Sequence, residues 1–327
     1  MVEYIMLSIL NAVVRPLDQV ITSIMTAKWR DERIDRPIFI IGVERSGTTL
    51  LYSLLANHPD LYWLSRLDSL IPDCPAVSSA FRRLVSRLLP VEQGYVAIPG
   101  TISRSKGLLP PSECLPYWRK IFKWGTEENY LIEDDYFTEE DVTNEVREWF
   151  YSDLRVRLAW SGKRRVLFKQ PGLSLKVRFL SAVFPDGIFL HVIRNPIANF
   201  LSLVKAKESS REQFWGIKIP GWREFLQAPK ELQAVLQIQR TLEIIERDIR
   251  QAGVLERFLR VRYEDITDNP RETLNKILEF CGLKWSDNLE FAIQDIRNRK
   301  ESREFPGGLS EEVKEILRSL CERYGYS

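Results

Sequence analysis

PIFIIGVERSGTTLL, residues Pro37 to Leu51, carries an apolar strand into a glycine-bounded loop, and the loop opens a helix. In the loop, Gly42-Val43-Glu44-Arg45-Ser46-Gly47-Thr48-Thr49, backbone N–H groups turn inward, and the helix N-terminus behind them adds partial positive charge. Such a cradle suits a phosphate or a similar anion. A nucleoside-triphosphate loop reads G-x-x-x-x-G-K-[ST], with the lysine on the outer phosphates. Here Thr48 stands in place of that lysine, and the fixed cation is Arg45, inside the loop. A G-x-x-x-x-G pattern alone arises often by chance. Ser46, Gly47, Thr48 and Thr49 opening a helix directly after a strand, with an arginine among them, favour an anion site over an ordinary turn. Arginine suits the place because it stays charged and forks onto two oxygens.

Outward from this stretch, Ile38–Ile41, Val166–Phe168, Ile188–Ile193 and Phe258–Val261 are short apolar runs that read as buried parallel strands. Each leads through a turn into a helical pattern: 47–57, 175–183, 197–205 and 271–280. The alternation predicts an α/β fold with a parallel, P-loop-like sheet flanked by helices. Further helical patterns cover 77–89, 142–160, 229–250 and 310–324, while 90–112 and 207–228 read as loops beside the site. No linker divides the chain, so residues 31–327 are expected to form one domain with a mainly helical insertion over 62–160.

Bulk composition narrows the function. A net charge of +2 is too small for nucleic-acid binding by bulk electrostatics, so an anion site must come from local clustering. Cys74, Cys114, Cys281 and Cys321 show no C-x-x-C spacing, and two histidines make a zinc site improbable. Scattered single cysteines fit a reducing compartment. Residues 1–30 read as an amphipathic helix, with Ile5, Ile9, Val13, Leu17, Ile21 and Ile24 on one face. Glu3, Arg15, Pro16 and Asp18 break any transmembrane run. The face is expected to pack on the domain or on a twin subunit, in preference to a membrane surface.

Three more constellations carry chemistry. Lys169 ends a strand, at the sheet edge where parallel α/β folds bind ligands. Arg194 ends another, Asn195-Pro196 turns the chain into a helix, and Ser202 follows about two helical turns on. Together they suit a second phosphate. Tyr263, in the run VRYEDITDNP from Val261 to Pro270, offers a flat face for a base, while Glu264 and Asp265 suit a turn cap.

In the order RSGTTLL from Arg45, KQP at Lys169, VFPDGIFLHVIRNP to Arg194, Ser202, and RYEDITDNP from Arg262, the chain resembles the sulfotransferase family that uses 3′-phosphoadenosine 5′-phosphosulfate. The similarity runs over about residues 37–327 and leans to the bacterial, carbohydrate and protein-tyrosine branches. It implies that Arg45, Ser46, Gly47, Thr48 and Thr49 hold the 5′-phosphosulfate. Lys169 would stabilise the departing phosphate. Arg194 and Ser202 would bind the 3′-phosphate, and Tyr263 the adenine. Arg299 and Lys300 sit where many members carry a basic loop to the 3′-phosphate. No metal is implied. Transfer to a hydroxyl or amine would be in line, with the site's cations, Arg45 and Lys169 foremost, stabilising the charge on the leaving nucleotide.

The base that takes the acceptor proton is open at this level. His58 and His191 read as structural. Arg66 occupies the position where related branches carry a glutamate, which leaves Asp68, two residues on, and Glu113 in PPSECLPYW; Glu113 is preferred. Both acids also suit helix N-termini. Trp118, Trp124, Phe214, Trp215 and Trp222 are candidate acceptor-facing aromatics, and 211–225 a candidate lid. The expected acceptor is a small molecule, glycan or glycolipid, in a cytoplasmic protein with a possible contact to a membrane through its first helix. Two other readings remain: a P-loop kinase or NTPase, and a degenerate nucleotide-binding module.

Overall fold

A computed structural model describes residues 2–24, 33–88, 109–122, 135–294, 296 and 305–326. Five strands, β1 (Ile38–Ile41), β2 (Leu61–Trp63), β3 (Arg165–Lys169), β4 (Ile188–Ile193) and β5 (Phe258–Arg262), form one parallel sheet in the order β2-β3-β1-β4-β5. The three central strands are buried along their whole length, which explains their mainly apolar sequence; Arg165 and Lys169 stand at the ends of β3, and His191 is the polar residue within β4. Alternate side chains serve opposite faces. Phe39 stacks between Phe168 and Phe189, with Phe184 against it, on one side. Ile38 and Ile40 join Leu51, Leu54, Leu190 and Ile277 on the other. The predicted α/β fold is therefore present, with β1 at its centre.

Helices cover both faces. They are α1 (Val2–Ile24), α2 (Thr48–Leu55), α3 (Arg66–Leu70), α4 (Pro75–Leu88), α5 (Leu115–Phe122), α6 (Asn144–Ser161) and α7 (Val177–Val183) in the first half. The second half adds α8 (Pro196–Glu208), α9 (Lys230–Gln251), α10 (Tyr263–Asp268), α11 (Pro270–Cys281), α12 (Asp287–Gln294) and α13 (Glu311–Tyr324). α2 and α8 start at the carboxyl ends of β1 and β4, so both N-termini open onto the same edge of the sheet. Pro196 at the first position of α8 and the Asn195 carboxamide accepting from Ile197 and Ala198 N–H fix that start.

Between β2 and β3 the described residues are mainly helical. Strand β2 itself escaped the sequence reading because three residues are too few for a period. The insertion is pinned by an internal ion network. Arg157 on α6 and Asp68 on α3 are both fully buried and paired with each other. Arg157 also bonds both carboxylate oxygens of Asp153, and Asp68 accepts from Ser78 Oγ at 2.7 Å.

Helix α1 packs on α4 and α3. Its contacts are polar: the Asp18 carboxylate accepts from Val77 N–H at 2.8 Å, and the Asn11 carboxamide donates to Leu70 O. Ile9, Val13, Leu17 and Ile24, of the row expected to pack on the domain or on a twin subunit, are exposed, so they do not pack on the domain. Asp18 outcompetes the apolar face because the first turn of α4 needs an acceptor for its free N–H groups. Among the described residues no helix is long and apolar enough to cross a membrane.

Candidate active site

The cradle sits at the carboxyl end of β1. Three braces fix its backbone. Ser174 Oγ bonds both the N–H and the carbonyl of Gly42, each at 2.9 Å, Asn199 Nδ2 donates to Glu44 O at 2.8 Å, and Arg194 Nη1 donates to Arg45 O at 2.6 Å. Under these braces Arg45 takes a left-handed conformation, φ +66°, rare for a side chain with a Cβ. Gly47, φ +101°, approaches the Tyr263 ring so closely that a Cβ there would lie 2.3 Å from Cδ2. The loop is thus shaped by contacts from α8, β4 and α10, and not by its own sequence alone.

Inside it, the N–H groups of Gly47, Thr48 and Thr49 donate to no acceptor among the described residues. The Ser46 hydroxyl is buried and has no partner either. Orphaned donors of this kind at a helix start are what an anion satisfies. Arg45 Nε donates to Ser202 Oγ at 3.0 Å, and Arg45 forms no ion pair among the described residues. Burial, and then the charge of Arg194, lower the Arg45 pKa from its ordinary value. The Arg194 guanidinium lies 4.9 Å over the Tyr263 ring. Arg45, Arg194, Ser202 and Tyr263 therefore form one basic wall, whereas the sequence reading assigned Arg45 to one pocket and Arg194 with Ser202 to another.

Lys169 and Glu113 meet on the other side. Lys169 Nζ donates to Thr49 Oγ1 at 2.9 Å and pairs with Glu113 Oε1. The lysine side chain is 3% exposed and the glutamate 45%, so a buried cation faces the cradle through Thr49 while its carboxylate partner looks outward. Cys114, also left-handed at φ +45°, bends the backbone directly after Glu113. Next to Lys169, the buried Gln170 Oε1 has no partner. The site thus holds a carboxylate, an ammonium and a hydroxyl in one line of contact, a geometry for accepting a proton beside an electrostatic stabiliser.

Asp68, the other acid named from sequence, has a different task. It is fully buried. It accepts from Ser65 N–H at 2.7 Å, Ser65 Oγ at 2.6 Å and Ser78 Oγ, besides Arg157. Burial alone would raise its carboxyl, but Arg157, then Arg82 and the Ser65 donors, hold it below the usual range. Its sequence signal, a serine three residues before an acid, is that of a capping box. The histidines are structural as expected. His58 bonds Lys284 O and Asp60 N through its two ring nitrogens, and His191 is fully buried in β4. Glu264 caps the turn after β4 by accepting from Asn195 N–H at 2.8 Å.

The aromatics expected to face an acceptor are mostly core. Trp118 packs with Phe122, Phe150 and Phe168, and Phe214 with Trp222 and Ile219. Trp215 is half-buried against the cluster under α9 and α13. The segment 211–225 is fastened from beneath by Lys207 Nζ, which donates to Trp215 O at 2.8 Å, and by Lys218 Nζ, which donates to Phe214 O. Trp124, Arg299 and Lys300 lie outside the described residues.

A contribution missed from sequence is Glu44, in the cradle itself. Its carboxylate is buried, accepting from Ile217 N–H and from Gln237 Nε2 at 3.3 Å. Burial pushes this carboxyl up to about 7, against backbone N–H groups and the ammonium groups of Lys207 and Lys218. The signal available was its position between Val43 and Arg45, which reads as a solvated loop acid.

Comparison with known proteins follows the same lines. A family model described as "Sulfotransferase family" matches residues 37–287. The chain is 23% identical over 260 residues to "Omega-hydroxy-beta-dihydromenaquinone-9 sulfotransferase Stf3" of Mycobacterium tuberculosis, covering 76% of this chain and 63% of that protein. It is 24% identical over 251 residues to a "Protein-tyrosine sulfotransferase" of Drosophila melanogaster, covering 76% of this chain and 38% of that one. The match therefore spans less than two thirds of either relative. Among solved structures, sulfotransferase STF9 from Mycobacterium avium aligns with a TM-score of 0.62 at 17% identity, over 97% of this chain and 84% of that chain. STF1 from Mycobacterium tuberculosis H37Rv aligns with a TM-score of 0.55 at 20% identity, over 93% and 81%. At such identities the structures speak for the fold. With the family model spanning all five strands and the whole cradle, the chain belongs to the sulfotransferase family.

Proposed function

We propose that this protein moves a sulfuryl group from 3′-phosphoadenosine 5′-phosphosulfate to a hydroxyl, or an amine, of a small molecule, glycan or glycolipid. The observation that carries the reading is the convergence of Arg45, Arg194 and Lys169 on a cradle whose Ser46 hydroxyl and three amides lack acceptors. The donor brings the transferable sulfuryl group and leaves as the adenosine bisphosphate. Arg45, with Ser46, Gly47, Thr48 and Thr49, holds its 5′ end. Arg194 and Ser202 hold the 3′-phosphate. Tyr263, stacked under Arg194, borders the base. Outside the described residues, Arg299 and Lys300 are assigned to the 3′-phosphate on resemblance alone. The neutralisation that a divalent ion gives a triphosphate falls here to fixed side chains, which cost no reorganisation at the moment of transfer.

Lys169, positioned by Thr49, supports the charge that builds on the departing phosphate. Glu113 receives the acceptor's proton. Its half-exposed side chain borders the space from which an acceptor would approach, whereas Asp68 is sealed in the insertion. The exposed apolar row on α1 supports an acceptor with an apolar part, met at a bilayer surface or at an interface with a second copy. The free cysteines, Cys74, Cys114, Cys281 and Cys321, support a cytoplasmic setting.

The test is a titration. Adenosine 3′,5′-bisphosphate is expected to bind in the presence of a chelator and to be released by donor. Binding of ATP that requires magnesium, with no bisphosphate binding, would refute the reading in favour of a kinase. Bisphosphate binding without transfer to any of a panel of alcohols, phenols, sugars and lipids would leave a binding module in its place.

A further inference from the structure

We propose that Glu44 is a positioning residue whose buried carboxylate holds Arg45 in the conformation that receives the donor. This rests on the donor assignment above. Glu44 precedes Arg45 in the cradle, and its side chain is turned to the protein interior and not to the anion site. One carboxylate oxygen accepts from Ile217 N–H, the other from Gln237 Nε2 on α9, and its own carbonyl accepts from Asn199 on α8. Three separate elements thus grip a single residue. The next residue carries the strain, with Arg45 at φ +66°. Such a conformation persists only where its surroundings over-determine it. Arg194, by bonding Arg45 O, fastens the far side. Between the two grips the Arg45 side chain is delivered to Ser202.

The partner surface is shaped for this carboxylate. Gly216, φ +98°, lies so close that a Cβ would sit 2.7 Å from Glu44 Oε1 and 2.6 Å from Gln237 Nε2. A glycine is required there because the carboxylate fills the space. Lys207 and Lys218, which hold the 211–225 segment, add the positive field that a buried carboxylate needs. An acid used only to stabilise the fold would have no reason to sit in the cradle, one residue before its essential cation.

A double-mutant cycle on adenosine 3′,5′-bisphosphate affinity tests this. E44A alone is expected to weaken binding about tenfold, yet less than about twofold in an R45A background, because its effect passes through that side chain. E44Q keeps an acceptor for Ile217 but sets an amide against Gln237, so it should weaken binding less than E44A and couple to Arg45 in the same way. G216A approaches from the other side of the brace and should also couple. If E44A does not fold, the E44Q and G216A cycles decide the matter. Additive effects across the cycle, or unchanged affinity in these variants, would overturn the proposal alone. Absence of bisphosphate binding by the wild type would overturn the donor assignment and this proposal with it.

Discussion

Replacing Glu113 by glutamine separates chemistry from binding and from folding in one variant. The change keeps the side-chain shape and removes the proposed proton acceptor beside Lys169. Glu113 is 45% exposed but its partner Lys169 is buried, so the amide, which still accepts from Nζ, should cost about 1–3 kcal/mol of stability. The melting temperature should therefore fall by about 2–4 °C for each of those kcal/mol, and the variant stays folded at assay temperature. The carboxylate does not touch the cradle amides, Arg45 or Arg194, so bisphosphate affinity should stay within about fivefold, the equivalent of ~1 kcal/mol. Turnover is different. A positioned general base contributes about 10²–10⁴-fold, so single-turnover transfer at saturating donor should fall by that factor. The assay is rapid-quench transfer from labelled donor to the acceptor that the screen identifies, with calorimetric bisphosphate titration alongside. Transfer within about threefold of wild type would remove Glu113 as the base. A large loss of bisphosphate affinity would instead make the Glu113–Lys169 pair part of the donor site.

Lys169→Ala should lower kcat by about 10²–10³-fold, with a smaller loss of affinity for the bisphosphate, whose 5′-phosphate is the departed group, measured by the same pair of assays; near-wild-type turnover refutes its role. Arg194→Ala should weaken bisphosphate binding by about 10–100-fold and abolish the preference over adenosine 5′-monophosphate, since charged hydrogen bonds contribute ~1.5–3 kcal/mol; a preserved preference would reassign the 3′-phosphate pocket. Asp68→Asn removes one of the two buried carboxylates on Arg157 and leaves Asp153, so it should cost about 1–3 kcal/mol in urea denaturation while the folded protein still binds bisphosphate; a stable variant with lost turnover would return Asp68 to the chemistry. His191 is held down from 6.5 to about 3 by burial and then by the Arg260 charge, so the unfolded chain takes up a proton that the native one refuses as pH falls below 6.5. Between pH 7 and about pH 5 the wild type should lose about 2 kcal/mol more than His191→Leu; equal losses in chemical denaturation would refute this.

The sheet was legible wherever apolar runs stood alone. Ile38–Ile41 and Ile188–Ile193 match the structure residue for residue because both begin and end on buried isoleucines, with only His191 interrupting the second. The members of the wall, Arg45, Arg194, Ser202 and Tyr263, were legible too, since each residue falls at a strand end or on the first turns after one, where chain connectivity alone brings side chains to the same edge. What failed depended on tertiary partners. Asp68 and Glu113 look alike as acids near helix starts, and only Arg157, distant in sequence, marks the first as internal. The apolar stripe on α1 gave no means of choosing between the domain and a twin subunit, and the Asp18 bond to α4 sets the other side of the helix against the domain. Phe214 and Trp222 carry no local sign that they turn inward. Glu44 was passed over because a lone loop acid gives no hint of Gly216 and Gln237 waiting for it.

Gly47 and Tyr263 interlock at van der Waals range although about 200 residues of chain separate them. On a ribosome adding ~5–20 residues per second, the cradle emerges about 10–40 s before the tyrosine that closes it. A nascent chain halted before β5 carries the most recognisable stretch of the sequence and yet no complete cradle. Competence arrives late and at once, so a truncated product of this gene would be blank and not half-active.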